Sequence, residues 1–325
     1  MNRRDATIRL VLLTVAPLAG AAQSTKSYRL GFLGTSSARD YAPNLDAFLK
    51  ALRDLGYEVG RNIGIEYRWA DGREERLPEL AAQLVRLKPD VLVSHSTGVG
   101  AVQQVTSTIP IVMGASADPV GAGLIKSLAR PGGNTTGVAS QITDLASKRL
   151  ELLKAAVPML KDVAVLSNFA VPASERGLEE MAIVARKLGV RMRSFAVTAE
   201  PATFESAFAA ILRERPDGLV VQPDPVVIKH GVLIAGFAAK NRLPAIGGSR
   251  QFVIDGGLLS YGGNFFEGWR LAARYVDRIL KGAKPVDLPV EQPTRFELIV
   301  NMKTAKALDL TIPRSLMTRA DEVVQ

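Results

Sequence analysis

From residue 28 onward, short apolar runs alternate with amphipathic helical stretches, and the whole alternation occurs twice. No other feature constrains the fold as much. Apolar runs of strand length separated by helices are the mark of a parallel sheet covered on both faces. The spacing predicts strands over Tyr28–Leu33, Ile63–Trp69, Asp90–Val93 and Ile109–Met113. Between them it predicts helices over Asp40–Leu55 and Glu74–Leu87 and a third from Gly98. In the first helix Leu45, Phe48, Leu49, Leu52 and Leu55 share one face. Gly56 follows where a helix end favours a residue tolerant of positive φ.

The order restarts near Asp162. Strands are expected over Asp162–Ser167, Val190–Val197, Asp217–Val221 and Pro244–Ile246, with helices over Ser174–Leu188, Ala202–Arg213 and Val226–Lys240. Landmarks repeat at a nearly constant offset. Leu55-Gly56 returns as Leu188-Gly189, and Arg86-Leu-Lys-Pro-Asp-Val-Leu-Val returns as Arg213-Glu-Arg-Pro-Asp-Gly-Leu-Val. Pro110 returns as Pro244. Matching elements in one order at one offset indicate two related lobes, and 325 residues are enough for two cores. The fold class is therefore α/β, with parallel sheets in two lobes. The tail departs from the repeat: Leu258–Tyr261, a long helix over Phe265–Lys281, Pro285, Pro289 and Pro293, strand Arg295–Val300 and helix Lys303–Leu308. This suits a bilobal fold whose chain crosses between lobes more than once, with a simple two-bead chain as the alternative.

The first 22 residues have the form of a secretory signal. Arg3, Arg4 and Arg9 precede an apolar stretch over Leu10–Leu18, and Ala19-Gly20-Ala21-Ala22 offers small residues for cleavage. The uncharged stretch is shorter than a spanning helix needs. Cleavage after Ala22 removes three Arg and one Asp and lowers the net charge from +9 to +7. The chain has no cysteine, which excludes disulfides, thiol nucleophiles and a lipid-bearing N-terminal Cys, and points to a free periplasmic protein. Two histidines, His95 and His230, rule out a His-rich metal site. The basic residues are dispersed and aromatics make up 6%, so no nucleic-acid partner is expected.

In open α/β sheets, ligands bind beyond the carboxyl ends of the strands. The loops at those positions are Gly34-Thr35-Ser36-Ser37, Ser94-His95-Ser96-Thr97-Gly98 and Gly114-Ala115-Ser116-Ala117-Asp118 in the first lobe. In the second they are Ser167-Asn168, Gln222-Pro223-Asp224 and Gly247-Gly248-Ser249-Arg250. Small residues let backbone amides approach a ligand, and hydroxyls add directional bonds. The same residue types also cap helices. Asp224 could hold an ammonium group and Arg250 a carboxylate in bidentate fashion. His95 could touch ligand or serve as a hydrogen-bonded structural histidine, and Asp118 before Pro119 suits a turn or cap.

Motifs for catalysis are missing. Gly114-Ala-Ser116-Ala-Asp118 and Gly247-Gly-Ser249-Arg-Gln251 both lack the final glycine of a nucleophile elbow. Gly121-Ala-Gly123 lacks the last glycine of a dinucleotide loop. A hydrolase would have to assemble its triad in space around Ser94, Ser116 or Ser249.

The stretch Asp118-Pro-Val-Gly-Ala-Gly-Leu-Ile-Lys-Ser-Leu-Ala-Arg-Pro-Gly-Gly-Asn-Thr-Thr-Gly-Val138 carries a resemblance, with Ser107–Val112 before it and Gly256–Gly262 after it. It resembles the ABC-transporter substrate-binding family that includes TrpX-like proteins, over about Tyr28 to Pro313. The resemblance implies a type I periplasmic-binding-protein architecture: two Rossmann-like lobes, a ligand cleft between them and crossings near Ser140, Tyr261 and Pro285–Pro289. Lobe 1 would then comprise 27–140 and 262–285, and lobe 2 would comprise 141–261 and 286–320. The matching cleft positions are Thr35, Ser36, Ser96, Thr97, Ser116, Asn168 and Asp224; Arg250 is added from its loop. Ser167-Asn168-Phe169 stands where relatives often carry Tyr-Asn. The implied function is a monomeric periplasmic receptor that binds a small polar organic molecule, such as an amino acid or related carboxylate, and docks on an ABC permease and its ATPase. No catalytic residue, metal or cofactor is expected. A ligand-presenting partner of a chemoreceptor or sensor kinase is the alternative, and a secreted hydrolase a further one.

Overall fold

The computed structural model describes residues 27–140, 144–169, 172–198, 200–292 and 295–325. The secretory signal expected over residues 1–22 lies outside the described residues. The first sheet takes strands β1 (Tyr28–Gly34), β2 (Ile63–Trp69), β3 (Val91–Ser94), β4 (Ile111–Ala117) and β5 (Thr135–Ser140). Helices α1 (Ala38–Asp54), α2 (Leu77–Arg86) and α3 (Thr97–Val105) connect them, α2 being entered through a 3₁₀ turn at Glu74–Arg76. The chain continues with α4 (Asp144–Ala156), β6 (Asp162–Asn168), α5 (Pro172–Lys187), β7 (Arg191–Val197), α6 (Pro201–Glu214) and β8 (Gly218–Val221). Then come α7 (Pro225–Lys229), α8 (Gly231–Lys240), β9 (Ala245–Gly247), α9 (Arg250–Ile254) and β10 (Leu259–Gly263). The last elements are α10 (Phe265–Leu280), β11 (Phe296–Asn301), α11 (Met302–Ala307), α12 (Arg314–Arg319) and β12 (Glu322–Val324).

The sheets are ordered β2-β1-β3-β4-β5 and β12-β11-β10-β9-β8-β6-β7. The first is parallel throughout. The second is parallel from β7 to β10, whereas β11 runs antiparallel to β10 and β12 parallel to β11. Direction reverses because the chain leaves β10 at its carboxyl end, visits the first lobe and re-enters the second sheet from that same end. Each sheet is covered on both faces by buried apolar clusters.

The internal repeat is visible in backbone geometry. Gly56 and Gly189 have φ of 90° and 63°. In both places the next residue closes a long hydrogen bond back into the helix, Tyr57 N–H to Leu52 and Val190 N–H to Ala185, each 2.9 Å. Lys88 and Arg215 sit in left-handed conformation before Pro-Asp. The aspartates then accept from the amides that open each lobe's first strand: Asp90 from Arg29 N–H at 2.8 Å and Asp217 from Asp162 N–H at 2.9 Å.

Several elements differ from the sequence expectation. The helix expected over Val226–Lys240 is divided at His230, which ends α7 and opens α8, and Gly231 beside it lies too close to the Asp255 carboxylate for a side chain. Strand β5 and helix α4 fall in a stretch for which the sequence pattern predicts no element. There Gly137 adopts φ of 131° against the Met113 backbone, beside an irregularity in β4. Helix α10, within the 262–285 expected in lobe 1, packs on the first sheet through Trp269, Ala272, Ala273, Val276 and Ile279. Leu288 and Val290 remain in first-lobe clusters, and Glu291 bridges Val138. The return to the second sheet therefore falls after Glu291, later than the expected Pro285–Pro289. Apolar burial at Leu288 and Val290 keeps that segment on the first lobe. The passage after Ser140 runs through 141–143, outside the described residues.

Candidate functional site

The first strand of each lobe has neighbours on both sides, β2 and β3 around β1 and β7 and β8 around β6. Connections therefore diverge there and leave a crevice at the carboxyl ends of the strands. The crevices of the two lobes face each other around a cavity of about 450 Å³, large enough for an amino-acid-sized ligand. Ser36, Asp40, Tyr41, His95, Ser96 and Trp269 line it from the first lobe, and Gln222, Asp224, Ile228, Lys229, Arg250 and Ile254 from the second.

The first lobe contributes an aromatic wall. Tyr41 stacks on His95, and Trp269 stands edge-on to Tyr41 with centroids 5.4 Å apart. Gly114 lies so close to the Trp269 indole that a Cβ would collide with it, so the glycine is needed to seat the ring. His95 Nε2 lies 3.2 Å from Thr35 Oγ1, and burial lowers the imidazole pKa to about 4. This histidine is neutral and structurally held while also lining the cavity. His230 Nδ1 meets the Val226 carbonyl oxygen at 2.8 Å.

The candidate hydroxyls separate by role. Ser36 and Ser96 line the cavity. Ser96 has φ of 50°, and its amide donates to Ser116 Oγ at 3.0 Å, so the fully buried Ser116 supports Ser96 from behind. Thr35 is buried beside His95, and Thr97 Oγ1 donates to Glu74 Oε1 at 3.2 Å. Ser94 Oγ donates to the Leu33 carbonyl at 2.8 Å.

Asp224 is the buried acid of the second lobe. Its Oδ1 caps α7, accepting from Val226 N–H at 2.7 Å and Val227 N–H at 3.2 Å. Its Oδ2 is buried and accepts no hydrogen bond. Burial raises the carboxyl pKa to about 6, against the pull of the α7 amides and of Asn168 at the end of β6. Gln222 also lines the cavity, and its Nε2 is buried without a hydrogen-bond partner. A buried acceptor and a buried donor on one strand end are costly unless a ligand or water engages them.

Arg250 reaches the cavity wall, but its guanidinium forks onto Glu322 of β12 at 2.6 and 2.9 Å. The bidentate site expected for a ligand carboxylate is filled by the protein's own. Lys229, in turn, pairs with Asp40 at 3.1 Å. Tyr41, Trp269, Asp40 and Lys229 lie outside the strand-end loops that the sequence marks, whereas Gln222 lies within one. Tyr41 sits in the first turns of an ordinary amphipathic helix, and Trp269 belongs to a helix whose pattern indicates only a buried face. Among the described residues, no cluster of three His, Cys, Asp or Glu could hold a metal ion. No helix among them is long and apolar enough to cross a membrane.

Two sheet lobes joined by more than one passage of chain, with a cavity between their strand ends, define a bilobal receptor of the type I periplasmic-binding-protein fold. Residues 40–324 match the family described as ABC transporter substrate binding protein, and the chain belongs to that family. A protein of Clostridioides difficile named a tyrosine-binding protein is 29% identical over 293 residues, covering 89% of this chain and 84% of that protein. The crystal structure of an ABC domain from Streptococcus pneumonia in complex with L-Trp superposes with a TM-score of 0.84 at 26% identity, over 92% of this chain and 100% of that one. A ligand-free, open substrate-binding protein with adhesive properties from Clostridium difficile superposes with 0.67 at 25% identity, over 92% and 99%.

Proposed function

We propose that this protein is the exported receptor of an ABC importer and that it binds an amino acid with an aromatic side chain without transforming it. The observation that carries this reading is the division of labour across the cleft. The first lobe presents the Tyr41–His95–Trp269 wall, and the second presents Asp224 with an unengaged buried oxygen. An ammonium group on Asp224 Oδ2 would receive a charge-assisted bond in a site of low dielectric. The ring would lie against the aromatic wall. The hydroxyls of Ser36 and Ser96 are the groups left for a carboxylate, since Arg250 is engaged by Glu322 and the Ser96 amide by Ser116. The names of the tyrosine-binding and L-Trp-bound relatives support the same ligand class.

A ligand held from both sides favours the closed arrangement, because only there do both sets of contacts exist. The closed receptor would dock on the permease and its ATPase. The test is calorimetry on protein stripped of ligand by unfolding and refolding, titrated with L-Tyr, L-Trp, L-Phe, L-Leu and 3-phenylpropanoate. Binding of the aromatic amino acids, with the deaminated acid silent and every ligand recovered unchanged, supports the proposal. Binding of the deaminated acid alone removes the role of Asp224, and consumption of ligand points to an enzyme. Sequencing the N-terminus of periplasmic protein, expected at Gln23, tests export.

A further inference from the structure

Two ion pairs join the lobes on either side of the cavity, and both have the same polarity. Asp40 in the first turn of α1 meets Lys229 at the end of α7, 3.1 Å away. Asp118, just beyond β4, meets Arg176 of α5. In the first sheet, β1 and β4 lie on opposite sides of β3, so the two contacts flank the middle of the cleft. The acids belong to the first lobe and the bases to the second.

Both acids are held in place by their own loops. Asp40 accepts from Ser37 Oγ at 2.7 Å and its backbone amide donates back to the same hydroxyl. Ser37 and Lys229 hold the Asp40 carboxyl below the usual range, against the effect of burial. Asp118 adopts φ of 36°, and its Oδ1 accepts from Gly121 N–H at 2.9 Å, leaving Oδ2 to Arg176. Each acid is thus positioned by contacts within the first lobe alone, so its fixed geometry does not depend on closure. The bases are about half exposed, so each pair is screened by salt and modest by itself.

We infer that Asp40–Lys229 and Asp118–Arg176 form a two-point electrostatic latch that holds the lobes together in the absence of ligand. None of the four side chains needs a ligand to complete its pair. The inference rests on the cleft being that of a closing receptor and is independent of which ligand it takes.

The chain has no cysteine, so labels can be placed cleanly at Val59→Cys and Val232→Cys, both exposed and on different lobes. Single-molecule energy transfer on ligand-stripped protein then reads the closed-to-open ratio directly. Asp40→Asn with Asp118→Asn should lower that ratio by about fivefold, the order two half-exposed pairs supply. Raising salt from roughly 0.05 to 0.5 M should reduce the wild-type ratio and leave the double variant unmoved. Exchanging charges, Asp118→Arg with Arg176→Asp, should restore what Asp118→Asn alone loses. Gly121→Ala offers a probe of unchanged charge, because its methyl would occupy the place of the Arg176 guanidinium. A wild-type protein that is open without ligand, or a ratio indifferent to salt and to all these changes, overturns the latch. Failure of every aromatic amino acid to bind would overturn the proposed ligand class and leave this ligand-free measurement to decide the latch alone.

Discussion

Tyr41 lies face to face with His95, ring centroids 4.6 Å apart and planes 16° from parallel, and Trp269 stands edge-on to both. The three rings come from α1, the loop after β3 and α10, and all belong to the first lobe. The aromatic wall is therefore complete before the lobes meet, while the acid that would orient a ligand arrives with the second lobe. Four measurements follow from that arrangement and its surroundings.

The buried His95 should make the fold sensitive to acid. Its folded pKa is about 4 against 6.5 for the free side chain, so below pH 6.5 the unfolded chain takes up a proton that the folded one refuses. Stability present above 6.5 is lost as pH falls toward 4, in total about 3 kcal/mol at roughly 1.4 kcal/mol per unit. Urea melts of wild type and His95→Gln across this window should show a flatter acid limb in the variant. Parallel limbs would mean that His95 is not buried as the structure places it.

Asp224 acts with the opposite sign. Its carboxyl is raised to about 6, so between 3.8 and 6 the folded protein keeps a proton that the unfolded chain has released, and this contribution is lost as pH rises through that window. Ligand affinity should rise over the same interval, since an ammonium needs the carboxylate. Below pH 6 the dissociation constant should worsen by up to about tenfold per unit. Asp224→Asn should weaken binding about tenfold or more at pH 7.5 and remove the pH dependence. Unchanged calorimetric constants would leave Asp224 as a helix cap only.

Trp269 carries the first-lobe core as well as the cavity wall. It is fully buried against Phe32, Tyr41 and Phe48. Trp269→Ala should cost about 3–5 kcal/mol in chemical denaturation. Gly114→Val, by intruding on the same indole, should destabilise through overpacking, by about 1–3 kcal/mol.

Arg250→Ala should change ligand affinity by less than about threefold, because its guanidinium bonds Glu322 and not open cavity. A tenfold loss would show that the arginine abandons Glu322 for the ligand.

Local sequence determined much of this protein. Leu55-Gly56 and Leu188-Gly189 end their helices with glycine at positive φ, and Asp90 and Asp217 tie matching loops to matching strands. Such features are legible because caps, left-handed turns and apolar periodicity depend on neighbours a few residues away. The strand-end loops were legible for a related reason: a parallel sheet directs those ends to one side, which brought Ser36, Ser96 and Asp224 to the cavity. Tertiary structure decided the rest. It set Trp269 against Tyr41 and His95, gave Arg250 to Glu322, turned Thr97 to Glu74 and set Asp40 against Lys229. Each of these pairings joins elements that are separate in the chain and carry no local mark of their partner. Thr97 meets Glu74 and Arg250 meets Glu322 within one lobe, whereas Asp40 and Lys229 meet only across the cleft.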